Sequence, residues 1–105
     1  MTACLLVIDI QDDYFPDGAR PLHEPDAAAD VAASVLASFR GRGETIVHVQ
    51  HVWDEEDATF MRPGTPGVEI NHKVLPLAGE PVVQKAWPNA FRDTGLDAVL
   101  RVYAP

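Results

Sequence analysis

The sequence predicts an α/β fold built around a parallel sheet. Three observations carry that expectation. The run Cys4-Leu5-Leu6-Val7-Ile8 is apolar throughout and stops at Asp9, the pattern of a strand covered on both faces. An alanine-rich helical segment follows at residues 26–40, and a β-branched run at residues 44–52. Strand, helix and strand at this spacing form a βαβ unit with parallel strands and a right-handed crossover.

Size and charge narrow what such a fold can do. With 105 residues the chain is one domain at most, and 47% apolar content suits a globular chain. The net charge of -8 comes from 16 acids against 8 lysines and arginines, with no cluster of cations. That balance disfavours nucleic acid and anionic membrane as partners, because phosphate contacts need grouped cations. The first apolar run is too short to span a membrane. Residues 1–3 carry no basic side chain, so no signal peptide is expected and a cytoplasmic protein is. The single cysteine, Cys4, precludes an intrachain disulfide and a cysteine-based zinc site.

Taken in order, the elements are these. After the first strand, Pro16-Asp17-Gly18 marks a turn. The helix over residues 26–40 has acids in its first turn and Arg40 and Arg42 near its end, and Gly41 or Gly43 should terminate it. Val31, Val35, Leu36 and Phe39 are expected to form its inward face. Residues 53–80 are irregular, and a loop of that length in a compact domain is usually functional. A third strand over residues 81–85 ends on Lys85. Thr94-Gly95-Leu96-Asp97 fits a capping box opening a second helix, with Leu96, Val99 and Leu100 facing inward. The first strand calls for neighbours on both edges, which three strands and two helices do not provide, so the domain is expected to be C-terminally truncated.

Asp9 and Lys85 each end a predicted parallel strand, so both belong on one rim of the sheet, where open α/β folds bind ligands. A carboxylate and an ammonium held together there suit activation of a nucleophile: the acid takes the proton and the cation stabilises the anion formed. The alternative is a structural ion pair or two solvated charges.

Val7-Ile8-Asp9-Ile10-Gln11-Asp12-Asp13-Tyr14-Phe15 resembles the opening motif of the isochorismatase-like cysteine hydrolases. Phe60-Met61-Arg62-Pro63-Gly64-Thr65-Pro66-Gly67, followed by Glu69-Ile70, resembles the central loop of that family. Val83-Gln84-Lys85 with Pro88-Asn89-Ala90-Phe91-Arg92-Asp93-Thr94 and Leu96 resembles its lysine segment. The resemblance implies a three-layer α/β/α, Rossmann-like sandwich and a mechanism using an Asp, a Lys and a Cys on a small amide or vinyl-ether substrate, with no cofactor. Asp9 would be the Asp and Lys85 the Lys. The family's cysteine belongs to a Gly-x-x-Thr-x-x-Cys segment that residues 1–105 do not contain, and Arg101-Val102-Tyr103-Ala104-Pro105 does not continue the family pattern. The expectation is therefore the N-terminal part of such a hydrolase, inactive as it stands. The competing expectation is a non-catalytic remnant that binds a small molecule or a partner chain, with a second subunit covering strand one in a homo-oligomer.

Cys4 does not fill the gap. Five residues of strand put its Cα roughly 16 Å from that of Asp9, whereas proton transfer needs contact at about 3 Å. His48, His51, Asp54 and His72 suggest a metal test, but His48 and His51 point to opposite faces of their strand and the paired histidines of metal-binding relatives are missing, so no metal is expected. The acids of residues 54–57 read as a solvated loop face. Phe15, Trp53, Phe60, Trp87 and Phe91 flank the rim segments and are candidates either to wall a small apolar substrate pocket or to be core residues under the long loop. Asp13 is expected to hold the turn after strand one through backbone hydrogen bonds.

Overall fold

The computed structural model describes residues 3–103. Its elements run β1 (Cys4–Ile8), α1 (Pro25–Gly41), β2 (Thr45–His51), β3 (Val82–Lys85) and α2 (Leu96–Tyr103). Short 3₁₀ turns lie at Asp12–Tyr14, Pro66–Val68 and His72–Val74. Of the segments singled out at the two ends of the sequence, Met1, Thr2, Ala104 and Pro105 lie outside the described residues. None of the described helices is long and apolar enough to cross a membrane.

The three strands form one parallel sheet in the order β1-β2-β3. Ile8 pairs with Val49, and His51 pairs with Lys85. This register brings Asp9, His51 and Lys85 to the same carboxyl-end rim, because each lies at or just beyond its strand's last paired position.

Alternation along the strands builds two apolar layers. Leu5, Val7 and Ile46 pack with Leu36, Phe39, Ala32 and Ala33 of α1, and with Val74 and Ile70 of the long loop. Cys4, Leu6, Val47, Val49 and Val83 pack on the opposite face with Leu96, Val99 and Leu100 of α2. The helices therefore cover opposite faces, which is the expected three-layer order.

α1 turns Leu36 and Phe39 inward as expected, but not Val31 and Val35. Ala29 and Leu36 are each 1% exposed, whereas Val31 is 66% and Val35 39% exposed. Ala29, Ala32, Ala33 and Leu36 recur at helical spacing, and their small side chains let the helix approach the sheet closely. The helix starts without a side-chain cap on Pro25, whose fixed φ suits the first turn. At its end Gly43 adopts φ +69 and donates its N–H to the Arg40 carbonyl at 3.1 Å.

β1 departs from the expected burial on both faces. Only Val7 is buried, Cys4 to Leu6 are half-buried, and Ile8 is 40% exposed. Among the described residues β1 has one sheet neighbour, so its second edge is open. The predicted capping box is half formed: the Thr94 hydroxyl accepts the Leu96 N–H at 3.3 Å and donates to the Ala90 carbonyl at 2.6 Å. Asp97 turns outward to Arg101 at 3.0 Å instead of closing the box.

The long loop is tied down at several points. Gln11 bridges to Ile70, and the buried Asp13 carboxylate accepts the N–H groups of Ala19, at 3.0 Å, and Met61. Asp13 thus holds its own turn, as expected, and the central loop with it. Gly67 is required here, since a Cβ on it would lie 2.0 Å from Asp13 Oδ1.

Candidate active site

Strict alternation would put Asp9 on the α1 face with Leu5 and Val7. The backbone breaks the alternation: Asp9 takes φ 63, a left-handed conformation that Asp tolerates better than most residues. Its N–H still donates to the Val49 carbonyl at 3.1 Å, and its own carbonyl accepts the Gln11 N–H at 3.1 Å. The carboxylate is thereby aimed at Lys85, which shares the α2 face with Val83. Backbone strain of this kind collects at functional sites.

The pair meets at 3.2 Å between Lys85 Nζ and Asp9 Oδ2. The lysine side chain is only 2% exposed and the aspartate side chain 32%. Lys85 Nζ also donates to the carbonyls of Trp87 at 3.2 Å and Pro88 at 3.1 Å. Two of its three N–H donors are thus taken by carbonyls, and the ammonium is paired in charge with Asp9. Asp9 differs, since its Oδ1 is buried and has no hydrogen-bond partner. Such atoms are uncommon in native structures.

Gln11, which the sequence singles out only within a motif, frames the site. Fully buried, it donates to the carbonyls of His51 and Val68 at 2.8 Å each and accepts the His51 N–H at 2.8 Å. One amide thus clamps the turn after β1, the end of β2 and the central loop. A glutamine between an apolar run and a pair of acids is the signal that could have found it.

His51 is 5% exposed, and its ring stacks on Trp53 with centroids 4.4 Å apart. Its Nε2 is buried and unpartnered. Burial first, and then the positive charge of Lys85, lower its pKa, with Asp9 opposing them; the imidazole is neutral at physiological pH. Tyr14 stands on the other side, its phenol raised first by burial and then by the Asp9 charge.

The predicted aromatic wall is divided. Trp53 sits at the rim, 6.5 Å from Phe60, which in turn lies 6.0 Å from Tyr14 and beneath Arg20 at 4.7 Å. Trp87 is held under Arg92 at 3.8 Å while its carbonyl receives Lys85. Phe91 is 53% exposed. Phe15 is buried, and with Phe60, Met61 and Asp13 it lines a neighbouring groove of about 640 Å³ under the central loop. That groove does not include Asp9 or Lys85; charge and unpaired polar atoms meet at the rim instead. His48 faces away from His51 and joins Glu80 at 2.9 Å. Residues 54–57 are exposed. Among the described residues, no three of His, Cys, Asp and Glu are grouped so as to hold a metal ion. Cys4 packs on the α2 side of the sheet, and burial raises its thiol pKa, the opposite of what a nucleophile needs.

Comparison with known proteins places this geometry in context. The isochorismatase domain model matches residues 3–102. The uncharacterised isochorismatase family protein YddQ of Bacillus subtilis is 48% identical over 101 residues, 96% of this chain and 56% of its own length. Maleamate amidohydrolase of Pseudomonas putida is 33% identical, over 91% of this chain and 52% of that enzyme. A crystal structure in the same family from Oleispira antarctica superimposes with a TM-score of 0.93 at 42% identity, covering 97% of this chain and 56% of that one. The chain thus spans about half the length of the relatives it matches. With the motifs, the sheet order and a domain match covering nearly all of it, the chain belongs to the isochorismatase family.

Proposed function

We propose that the chain carries two of the three catalytic groups of a cysteine hydrolase acting on a small planar amide or vinyl ether: Asp9 as the proton acceptor and Lys85 as the cationic stabiliser. The observation that carries this reading is the unpaired Asp9 Oδ1 beside the buried Lys85 ammonium. The third group is a thiol from outside residues 1–105. For an amide, Asp9 takes the thiol proton and the thiolate attacks the carbonyl carbon, forming a C–S bond. Lys85 stabilises the anionic charge through space. The C–N bond then breaks, the amine leaves with the proton held by Asp9, and water cleaves the thioester to restore the thiol. No cofactor takes part, and a cytoplasmic homo-oligomer with a small-molecule substrate goes with this reading.

Two linked measurements test it. The intact mass of the protein from its own source separates an 11.4 kDa product from a longer one. Ammonia release from maleamate and nicotinamide is then assayed. The reading expects none from the 105-residue chain and turnover from a longer product that Asp9→Asn and Lys85→Met both abolish. Turnover that survives either substitution overturns it.

A further inference from the structure

Three buried side-chain polar atoms among the described residues have no partner, and two of them, Asp9 Oδ1 and His51 Nε2, belong to the same rim. The two residues are coupled electrostatically to each other and to Lys85. Asp9 Oδ1 has a role in the proposed mechanism; His51 Nε2 has none. The backbone of His51 is fixed by Gln11 on both its N–H and its carbonyl, and its ring is fixed by Trp53. A ring so held, with a buried nitrogen left without a hydrogen-bond partner, is a costly arrangement unless something pairs with it.

We infer that His51 Nε2 is a substrate-positioning group that hydrogen-bonds the planar carboxamide of the substrate and orients it over Asp9. The inference deepens the proposed function and rests on it for the identity of the site. A neutral imidazole offers either an N–H or a lone pair at Nε2. A primary carboxamide carries two N–H donors and a carbonyl acceptor in one plane, so it complements either tautomer. Trp53 flanks the same ring and supplies an apolar face against which a planar group stacks. Lys85 is already committed to the Trp87 and Pro88 carbonyls and to the charge of Asp9. A tertiary amide has no N–H, and a hydrocarbon of the same shape has no polar atom at all. Affinity should therefore fall along that series.

The test titrates the 105-residue chain with nicotinamide, following Trp fluorescence and the His51 ring proton by NMR. The expected result is saturable binding that moves the His51 signal, weakened about tenfold by His51→Phe, which keeps the stack but removes the nitrogen. His51→Gln, which keeps a neutral hydrogen-bonding group, should stay within about threefold of the parent. Toluene, as the polar-free control, should bind all three proteins alike. Absence of saturable nicotinamide binding by the parent chain overturns the inference, and so does equal affinity for parent and His51→Phe. This readout is independent of turnover: retained turnover in Asp9→Asn with lost affinity in His51→Phe would sink the catalytic assignment and leave this one standing.

Discussion

His48 and His51 lie three residues apart on β2 and belong to two buried polar clusters of opposite character. On the α1 face, both oxygens of Glu80 are paired. They receive Arg40 at 2.6 and 2.7 Å, the Leu77 N–H at 3.0 Å, and His48 Nε2 at 2.9 Å. The Arg40 hydrogen bond is the main reason the Glu80 carboxyl is held down at about 2, against the opposing effect of burial. On the rim, Asp9 and His51 each keep a buried atom unpaired. In the first cluster the carboxylate is fully paired and only His48 Nδ1 stays without a partner, so Glu80 staples α1, β2 and the end of the long loop. The second is open, and an open buried cluster at a strand-end rim is where a ligand belongs.

The largest effect should separate the two by function. In a turnover-competent form, Asp9→Asn is expected to lower kcat by about 10³-fold and also to cost about 3 kcal/mol of stability, because it leaves the buried Lys85 ammonium without its counter-charge. An unmoved denaturation midpoint would show that the rim pair is not structural. Glu80→Gln should also cost about 3 kcal/mol in urea unfolding but leave kcat unchanged, because it leaves Arg40 and the fully buried His48 without their carboxylate and lies away from the rim.

The pH dependence sharpens the same contrast. The Glu80 carboxyl is depressed from 4.5 to about 2, so the unfolded chain takes up its proton first as pH falls. Its stabilisation is fully present above pH 4.5 and is lost as pH drops toward about 2. Integrated, that is about 3 kcal/mol, and Glu80→Gln should flatten this acid limb when urea unfolding is compared at pH 7 and pH 3. A limb of unchanged steepness in the variant would assign it to other carboxylates.

Two smaller effects concern the scaffold. Gly67→Ala drives a Cβ into the Asp13 carboxylate and should cost about 2 kcal/mol, with faster amide exchange at Ala19 and Met61 as the specific sign. Val31→Lys, on the exposed side of α1, should change stability by less than about 0.5 kcal/mol, whereas Leu36→Ala on the sheet side should cost about 3 kcal/mol. Equal costs at the two positions would mean that a partner covers the outer face of α1.

Much of this was legible in the residues themselves. The run from Cys4 to Ile8 and its stop at Asp9, the β-branched run around Ile46 and Val49, and the strand ending on Lys85 all appear where their patterns put them. Because parallel strands place their carboxyl ends together, Asp9 and Lys85 belong on one rim by their positions in the sequence alone. The α1 face was less legible, since counting large apolar residues selects Val31 and Val35, while close helix–sheet approach selects Ala29, Ala32 and Ala33.

The sequence by itself therefore determined the parallel α/β class, the order of elements and the acid–lysine pair, because these follow from local periodicity and from where runs end. Only the tertiary structure decided the left-handed turn that re-aims Asp9, the Gln11 clamp, the Glu80 staple and the unpaired nitrogen of His51. Those features depend on hydrogen bonds between residues far apart in the chain: Gln11 reaches Val68 across 57 positions and Asp13 reaches Met61 across 48. Whether a buried polar atom is satisfied depends on which distant groups the completed fold brings within about 3 Å of it, and no local pattern records that.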